Sequence, residues 1–285
     1  MELKIIYDKS LILGEGPIWD PRIGNLYFVD ILGKKLFRHH YEKDITNIFY
    51  FEEYISCIAL TSSVDIVFIS LESGIYKFDL NSSVKTFLYQ PETNKDYRYN
   101  DGAVTPWGTW LLGSMNNLNN GENAPLKPDA TLYELSATNF TSLLDNVTIS
   151  NGIVFEGSNV YFIDSKLNSV RKFKYKDQKL TDETLIFQYD GPGSLDGMAL
   201  SKCRKLFIAN WGGSQILVFD LNISELIKVI TVPAINPTSC VFGGPQMNEL
   251  FITTSNQNEI NPNSTAGVYC IQLNEVGFEE PMLNW

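Results

Sequence analysis

The chain has 285 residues, 44% hydrophobic and 19% charged, an ordinary balance for a globular protein with a substantial core. Its formal net charge of −11 argues against the basic face that nucleic acid or an anionic membrane requires. No uncharged apolar run approaches the roughly 18 residues of a membrane span, and the opening Met1-Glu2-Leu3-Lys4-Ile5 lacks the apolar stretch of a secretory signal. The expectation is a cytoplasmic protein with reduced, mostly core-packed cysteines at 57, 203, 240 and 270, since none forms a CxxC pair.

In chain order, six segments repeat one pattern, a polar or small residue followed by a β-branched and aromatic run. They are 25–31 (NLYFVDI), 65–71 (DIVFISL), 109–115 (TWLLGSM), 159–165 (NVYFIDS), 205–211 (KLFIANW) and 249–255 (ELFITTS). Their second residues fall at 26, 66, 110, 160, 206 and 250. Turn residues precede each run and no apolar stripe of helical period and length appears, so each predicts a strand. Further strands are predicted at 74–80, 169–175, 215–221 and 267–273, with the fourth strand of each unit in the linking segment. A period in the forties with several strands per unit is the signature of propeller blades. The fold expected is all-β, a six-bladed β-propeller with a central metal site, occupying residues 1–285 as a single domain. The stretch 116–129 (NNLNNGENAPLKPD) reads as a long loop inside the third blade.

Eight to ten residues before each strand lies a second repeat, a polar residue followed by Gly or Cys. It reads Glu15-Gly16, Ser56-Cys57, Asp101-Gly102, Asn151-Gly152, Asp196-Gly197 and Ser239-Cys240. In a propeller, equivalent positions of different blades converge on the axis, where Gly lets backbones approach. Carboxylates converging there repel unless a cation or proton intervenes. Glu15, Asp101 and Asp196, with Asn100 and Asn151, supply oxygen ligands only. Such a set suits one divalent cation, Ca²⁺ first, with Mg²⁺, Mn²⁺ or Zn²⁺ as alternatives. His39 and His40 are adjacent, so on a strand they point to opposite faces and cannot chelate together. They are expected on an exposed loop or an outer strand. Trp19, Trp107, Trp110 and Trp211 are expected as packing residues, with Trp211 a candidate for the pocket border. No Gly-x-Ser-x-Gly elbow or phosphate-cradling loop is present.

The motifs LGEGPIWD at 13–20, LYFVD at 26–30, RYNDG at 98–102, ISNGIVF at 149–155, LDGMAL at 195–200 and SCVFGGPQMNELFITTS at 239–255 resemble the SMP-30/gluconolactonase/LRE family. That family includes regucalcin, sugar lactonases and luciferin-regenerating enzyme. The resemblance implies a six-bladed propeller and places the family's metal ligands on Glu15, Asn151 and Asp196. It gives Asp196 the catalytic acid/base role as well, and makes Arg98, Asn100 and Asp101 the substrate-binding residues. The chain departs from regucalcin-like members after Gly113-Ser114-Met115, where Asn116-Asn117-Leu118-Asn119 has no acid at the matching place. The implied function is a metal-dependent lactonase opening a small lactone, an aldonolactone by family precedent. The ion polarises the carbonyl and lowers the pKa of water, and the proton is taken either by Asp196 or by water on the ion. Two alternatives stand beside it, a regucalcin-like calcium-binding propeller with little catalysis and a related ester or organophosphate hydrolase. The partner expected is a small-molecule lactone, with no nucleic acid and no membrane, and the chain a monomer or weak homodimer.

Overall fold

Runs such as Leu26-Tyr27-Phe28-Val29 have no polar alternation, which fits strands covered on both faces, whereas the more polar runs between them fit sheet edges. A computed structural model describes residues 2–117, 126–257 and 266–285. Residues 118–125 of the expected 116–129 loop therefore lie outside the described residues. The described residues fold into 24 strands arranged as six four-stranded sheets, with neighbouring strands antiparallel. This is the six-bladed β-propeller class that the repeat predicts. No helix among the described residues is long and apolar enough to cross a membrane.

Two compact units are present, each with three sheets. The first, Met1–Glu52 with Tyr189–Glu280, begins with a sheet of β2 (Gly14–Asp20), β3 (Asn25–Asp30), β4 (Lys35–His40) and β5 (Ile45–Tyr50). It also holds β18 (Ser194–Leu200), β19 (Lys205–Trp211), β20 (Gln215–Asp220) and β21 (Glu225–Thr231). Its last sheet is β22 (Asn236–Gly243), β23 (Glu249–Ser255) and β24 (Val268–Gln272), completed by β1 (Leu3–Tyr7). The outermost strand of this blade thus comes from the other end of the sequence, with Leu3 opposite Ile271 and Ile5 opposite Tyr269. The other five sheets take their fourth strand from the linking segment, as expected.

The second unit, Glu53–Gln188 with Pro281–Trp285, contains three sheets. These are β6 (Ile55–Leu60), β7 (Ile66–Leu71), β8 (Gly74–Asp79) and β9 (Lys85–Tyr89); β10 (Tyr97–Val104), β11 (Trp110–Asn116), β12 (Ala130–Leu135) and β13 (Phe140–Val147); and β14 (Ser150–Glu156), β15 (Asn159–Asp164), β16 (Ser169–Lys176) and β17 (Lys179–Gln188).

All six segments picked out by the repeat are second strands, and β3 is buried along its whole length. Edge strand β21 is mostly exposed and β5 contains no buried residue, as befits strands with one unpaired edge. In the first unit Trp19 stacks on Phe251 at 5.4 Å, joining neighbouring sheets into one core, and Phe28 stacks on its cross-strand partner Phe37 at 4.6 Å within one sheet. Each such pair adds about 0.5–1.5 kcal/mol beyond the area it buries. Trp110 is fully buried, while Trp107 is an exposed plate stacked on Tyr175 at 4.8 Å. The histidines lie on β4, the third strand of the first sheet. His39 is not exposed but 2% accessible, with Nδ1 2.9 Å from the Thr46 hydroxyl, and burial lowers its pKa. Leu26 and Thr46 are its cross-strand neighbours, a setting invisible in the local His-His pair. Cys57, Cys240 and Cys270 are buried free thiols, and Cys203 is an exposed one.

Candidate functional site

The polar-then-small repeat has a backbone cause. In each of the six sheets the pairing of innermost and second strand slips at this point. The slips fall between Glu15 and Ile18, Ile55 and Cys57, Tyr99 and Gly102, Asn151 and Ile153, Leu195 and Met198, and Pro237 and Ser239. Each is a β-bulge with an extra residue on the innermost strand, and a bulge re-aims side chains that a regular pleat would send into the sheet. Gly16 takes a φ of 51°, a region that a side chain disfavours. At Gly197 the need is space, because a Cβ would lie 2.1 Å from Ser239 Oγ on the neighbouring innermost strand.

In the second unit, three predicted residues form one chain of hydrogen bonds. Arg98, buried at 7% exposure, donates from Nη1 to Asn100 Oδ1 at 2.7 Å and to Tyr99 O at 2.9 Å. Asn100 Nδ2 donates to Ser150 O at 2.8 Å and to Asn151 Oδ1 at 3.0 Å. Asn151 in turn donates from Nδ2 to Ser165 Oγ at 2.7 Å. β10 lies against both β6 and β14, which brings these groups together. The Ser56 hydroxyl donates to Tyr99 O at 2.5 Å and the Cys57 thiol reaches Asn100 O at 3.0 Å, fastening the bulge from the other side. Asp101 Oδ1 accepts from Gly102 N at 2.8 Å. Part of Asp101 remains accessible, yet protein surrounds its carboxyl closely enough for burial to push the pKa from 3.8 to about 6, against the opposing Gly102 bond.

In the first unit, β22 lies against both β2 and β18, the strands that carry Glu15 and Asp196. Both carboxylates are buried, each at 6% exposure. Glu15 Oε2 accepts from Gly16 N at 3.0 Å, and the Thr238 hydroxyl holds Gly14 O at 2.5 Å. Burial raises the Cys240 thiol pKa strongly, and the nearby Glu15 charge adds to the rise. Cys240 therefore stays an uncharged packing group beside Glu15. Trp211, half-buried, closes β19 next to Gly212, whose φ is 74°.

Both halves offer hard oxygen donors, two carboxylates in the first unit and an oriented amide in the second. Among the described residues no group of three or more His, Cys, Asp or Glu could hold a metal ion. Carboxylate and amide oxygens are donor types that suit a hard ion.

Two features escaped the sequence reading. Ser165, the partner of Asn151, lies on a turn outside the polar repeat. Asp30 and Asp164, at matching ends of β3 and β15, are clamps. Asp30 accepts from Ile12 N, Leu13 N and Gly33 N at 2.9–3.1 Å, and Asp164 from Thr148 N, Ile149 N and Lys166 N at 2.8–3.1 Å. The shared Phe-Val-Asp and Phe-Ile-Asp strand ends were the available signal.

The SMP-30/Gluconolactonase/LRE-like region matches residues 13–256. A Bacillus subtilis (strain 168) protein provisionally named sugar lactone lactonase YvrE is 28% identical over 264 residues, covering 90% of this chain and 88% of its own. Regucalcin of Xenopus laevis is 28% identical over 271 residues, covering 90% and 87%. The crystal structure of regucalcin from Agrobacterium tumefaciens, named a calcium-binding protein, superimposes with a TM-score of 0.91 at 22% identity, covering 99% and 97%. The bulged Glu, Asn and Asp motifs lie inside the matched region, and the chain belongs to the SMP-30/gluconolactonase/LRE-like family.

Proposed function

We propose that the protein is a divalent-cation-dependent hydrolase that opens a small lactone, an aldonolactone being the substrate class to test first. The observation that carries the proposal is the donor set Glu15, Asn151 and Asp196, buried at three bulges and matching the family's motif positions. These three residues would hold the cation, with Ca²⁺ the first choice. When bound, the ion supplies Lewis acidity toward the lactone carbonyl and toward water. Asp196 takes a proton as water adds to the carbonyl carbon, and returns it to the ring oxygen as the acyl C–O bond breaks. The products are a free hydroxyl and a carboxylic acid, whose ionisation releases one proton to solvent. Arg98, with donors only, suits a substrate hydroxyl or carboxylate oxygen. Asp101, with its pKa near 6, is mainly ionised at neutral pH and accepts hydrogen bonds from hydroxyls.

A regucalcin-like cation-binding role with little catalysis is the second reading. It is favoured by Asn100, whose Oδ1 serves Arg98 and whose Nδ2 serves Ser150 and Asn151, leaving it little capacity for substrate. The proposal carries a small-molecule partner, a cytoplasmic location and a monomer or weak homodimer, which cell fractionation and light scattering test. The deciding experiment is pH-stat hydrolysis of a lactone panel by chelator-stripped protein with Ca²⁺, Mg²⁺, Mn²⁺ or Zn²⁺ restored. Turnover that needs the cation and disappears in Asp196→Ala supports the lactonase. Absence of turnover on every lactone overturns it, and cation binding lost in Glu15→Gln without turnover supports the second reading.

A further inference from the structure

We infer that Ser165 is a positioning residue for the cation ligand Asn151, its hydroxyl fixing which end of the Asn151 amide is presented as ligand. The inference rests on the proposed role of Asn151 in holding the cation.

An amide carries its acceptor and its donors at opposite ends, and only the oxygen can serve a hard cation. The hydrogen-bond chain leaves no freedom in that choice. A guanidinium has donors only, so Asn100 must turn Oδ1 toward Arg98 Nη1. Its Nδ2 then faces Ser150 O and Asn151. Two amide nitrogens cannot satisfy one another, so Asn151 must turn Oδ1 toward Asn100. Its Nδ2 consequently points to Ser165, which must accept. One lone pair of the Asn151 oxygen is used by Asn100, and the second remains for a ligand. Without an acceptor at 165 the nitrogen end loses its partner, and only the 3.0 Å bond from Asn100 opposes rotation of the amide.

Ser165 itself is anchored. Its backbone N donates to Ile149 O at 3.1 Å, two residues before Asn151. Asp164 accepts from Thr148 N and Ile149 N on one side and Lys166 N on the other, clipping the Ser165 turn to the segment that leads into β14. The hydroxyl and the amide it orients are thus carried by one rigid corner of a single sheet. Partners of this kind, outside the ligand set, commonly change cation affinity by about ten- to a hundred-fold when removed.

The test is calorimetric titration of Ca²⁺ into chelator-stripped full-length protein, with circular dichroism melting of the cation-free variants to confirm folding. Ser165→Ala and Ser165→Val should weaken binding by about tenfold or more. Ser165→Thr, which keeps the hydroxyl at the volume of Val, should remain within about twofold of wild type on the same grounds. If Ser165→Ala fails to fold, the Thr and Val pair still separates hydroxyl from bulk. Binding unchanged in Ala or Val, or equally weakened in Thr and Val, overturns the positioning role while leaving the cation proposal standing if Asn151→Ala loses Ca²⁺. Binding unchanged in Asn151→Ala overturns both.

Discussion

Replacing Asn100 with Asp alters one group's chemistry and almost no volume, so the hydrogen-bond chain can be tested without a cavity. The new carboxylate keeps an acceptor for Arg98 and makes that bond charge-assisted, a gain of about 1 kcal/mol over a neutral one. Against this, Nδ2 donates at 2.8 Å to Ser150 O and at 3.0 Å to Asn151 Oδ1. Both contacts become acceptor facing acceptor at a buried site, at about 1–3 kcal/mol each. The losses outweigh the gain by about 1–5 kcal/mol. For a chain of this size that lowers the melting temperature by roughly 2–8 °C at pH 8. The penalty should shrink toward pH 4.5, because the carboxyl that Asn100→Asp introduces regains one donor when it is protonated. Differential scanning calorimetry of chelator-treated Asn100→Asp and wild type at both pH values measures this. A melting temperature at pH 8 within about 1 °C of wild type, below the shift expected from even one lost bond, would refute the claim that Asn100 is a fully committed internal donor.

Asp164→Ala removes the acceptor of three backbone amides and should cost about 2–4 kcal/mol, with faster hydrogen exchange at Thr148 and Ile149 than in wild type. Equal exchange at those amides counts against the clamp. For Asp101 the folded pKa lies above the usual value, so the burial cost of its charge is present above about pH 6 and fades as pH falls toward 3.8. Chelator-treated Asp101→Asn should therefore be more stable than wild type at pH 8, by ~1–2 kcal/mol, and match it near pH 4. A pH-independent difference in melting temperature would contradict the assignment of the shift to burial.

The strands were legible because each is written locally, as a β-forming run after turn residues. Tyr27, Phe28 and Val29 tell the same story whatever surrounds them. The repeat also placed Glu15, Asn151 and Asp196 at equivalent points, although the bulges behind that equivalence belong to pairing register, which no single strand encodes. Non-local partners were hidden for the same reason. Nothing in Ser165 marks it as the acceptor for an amide 14 residues earlier. His39 looked like a surface residue until Leu26 and Thr46 flanked it. The motif resemblance implied substrate-binding roles for Arg98 and Asn100, while the geometry showed that Asn100 spends its polar atoms on protein neighbours.

The pairing of Leu3 with Ile271 sets a schedule for biosynthesis. At about 5–20 residues per second, β1 leaves the ribosome tens of seconds before its partner β24 exists. During that interval the LKIIY segment has no native partner, and the loop it must eventually close spans nearly the whole chain. A chaperone that holds the nascent N-terminus should therefore raise the yield of native protein more than one acting after release. A fusion partner that blocks β1 from reaching β24 should leave a chain with five finished sheets and one exposed edge.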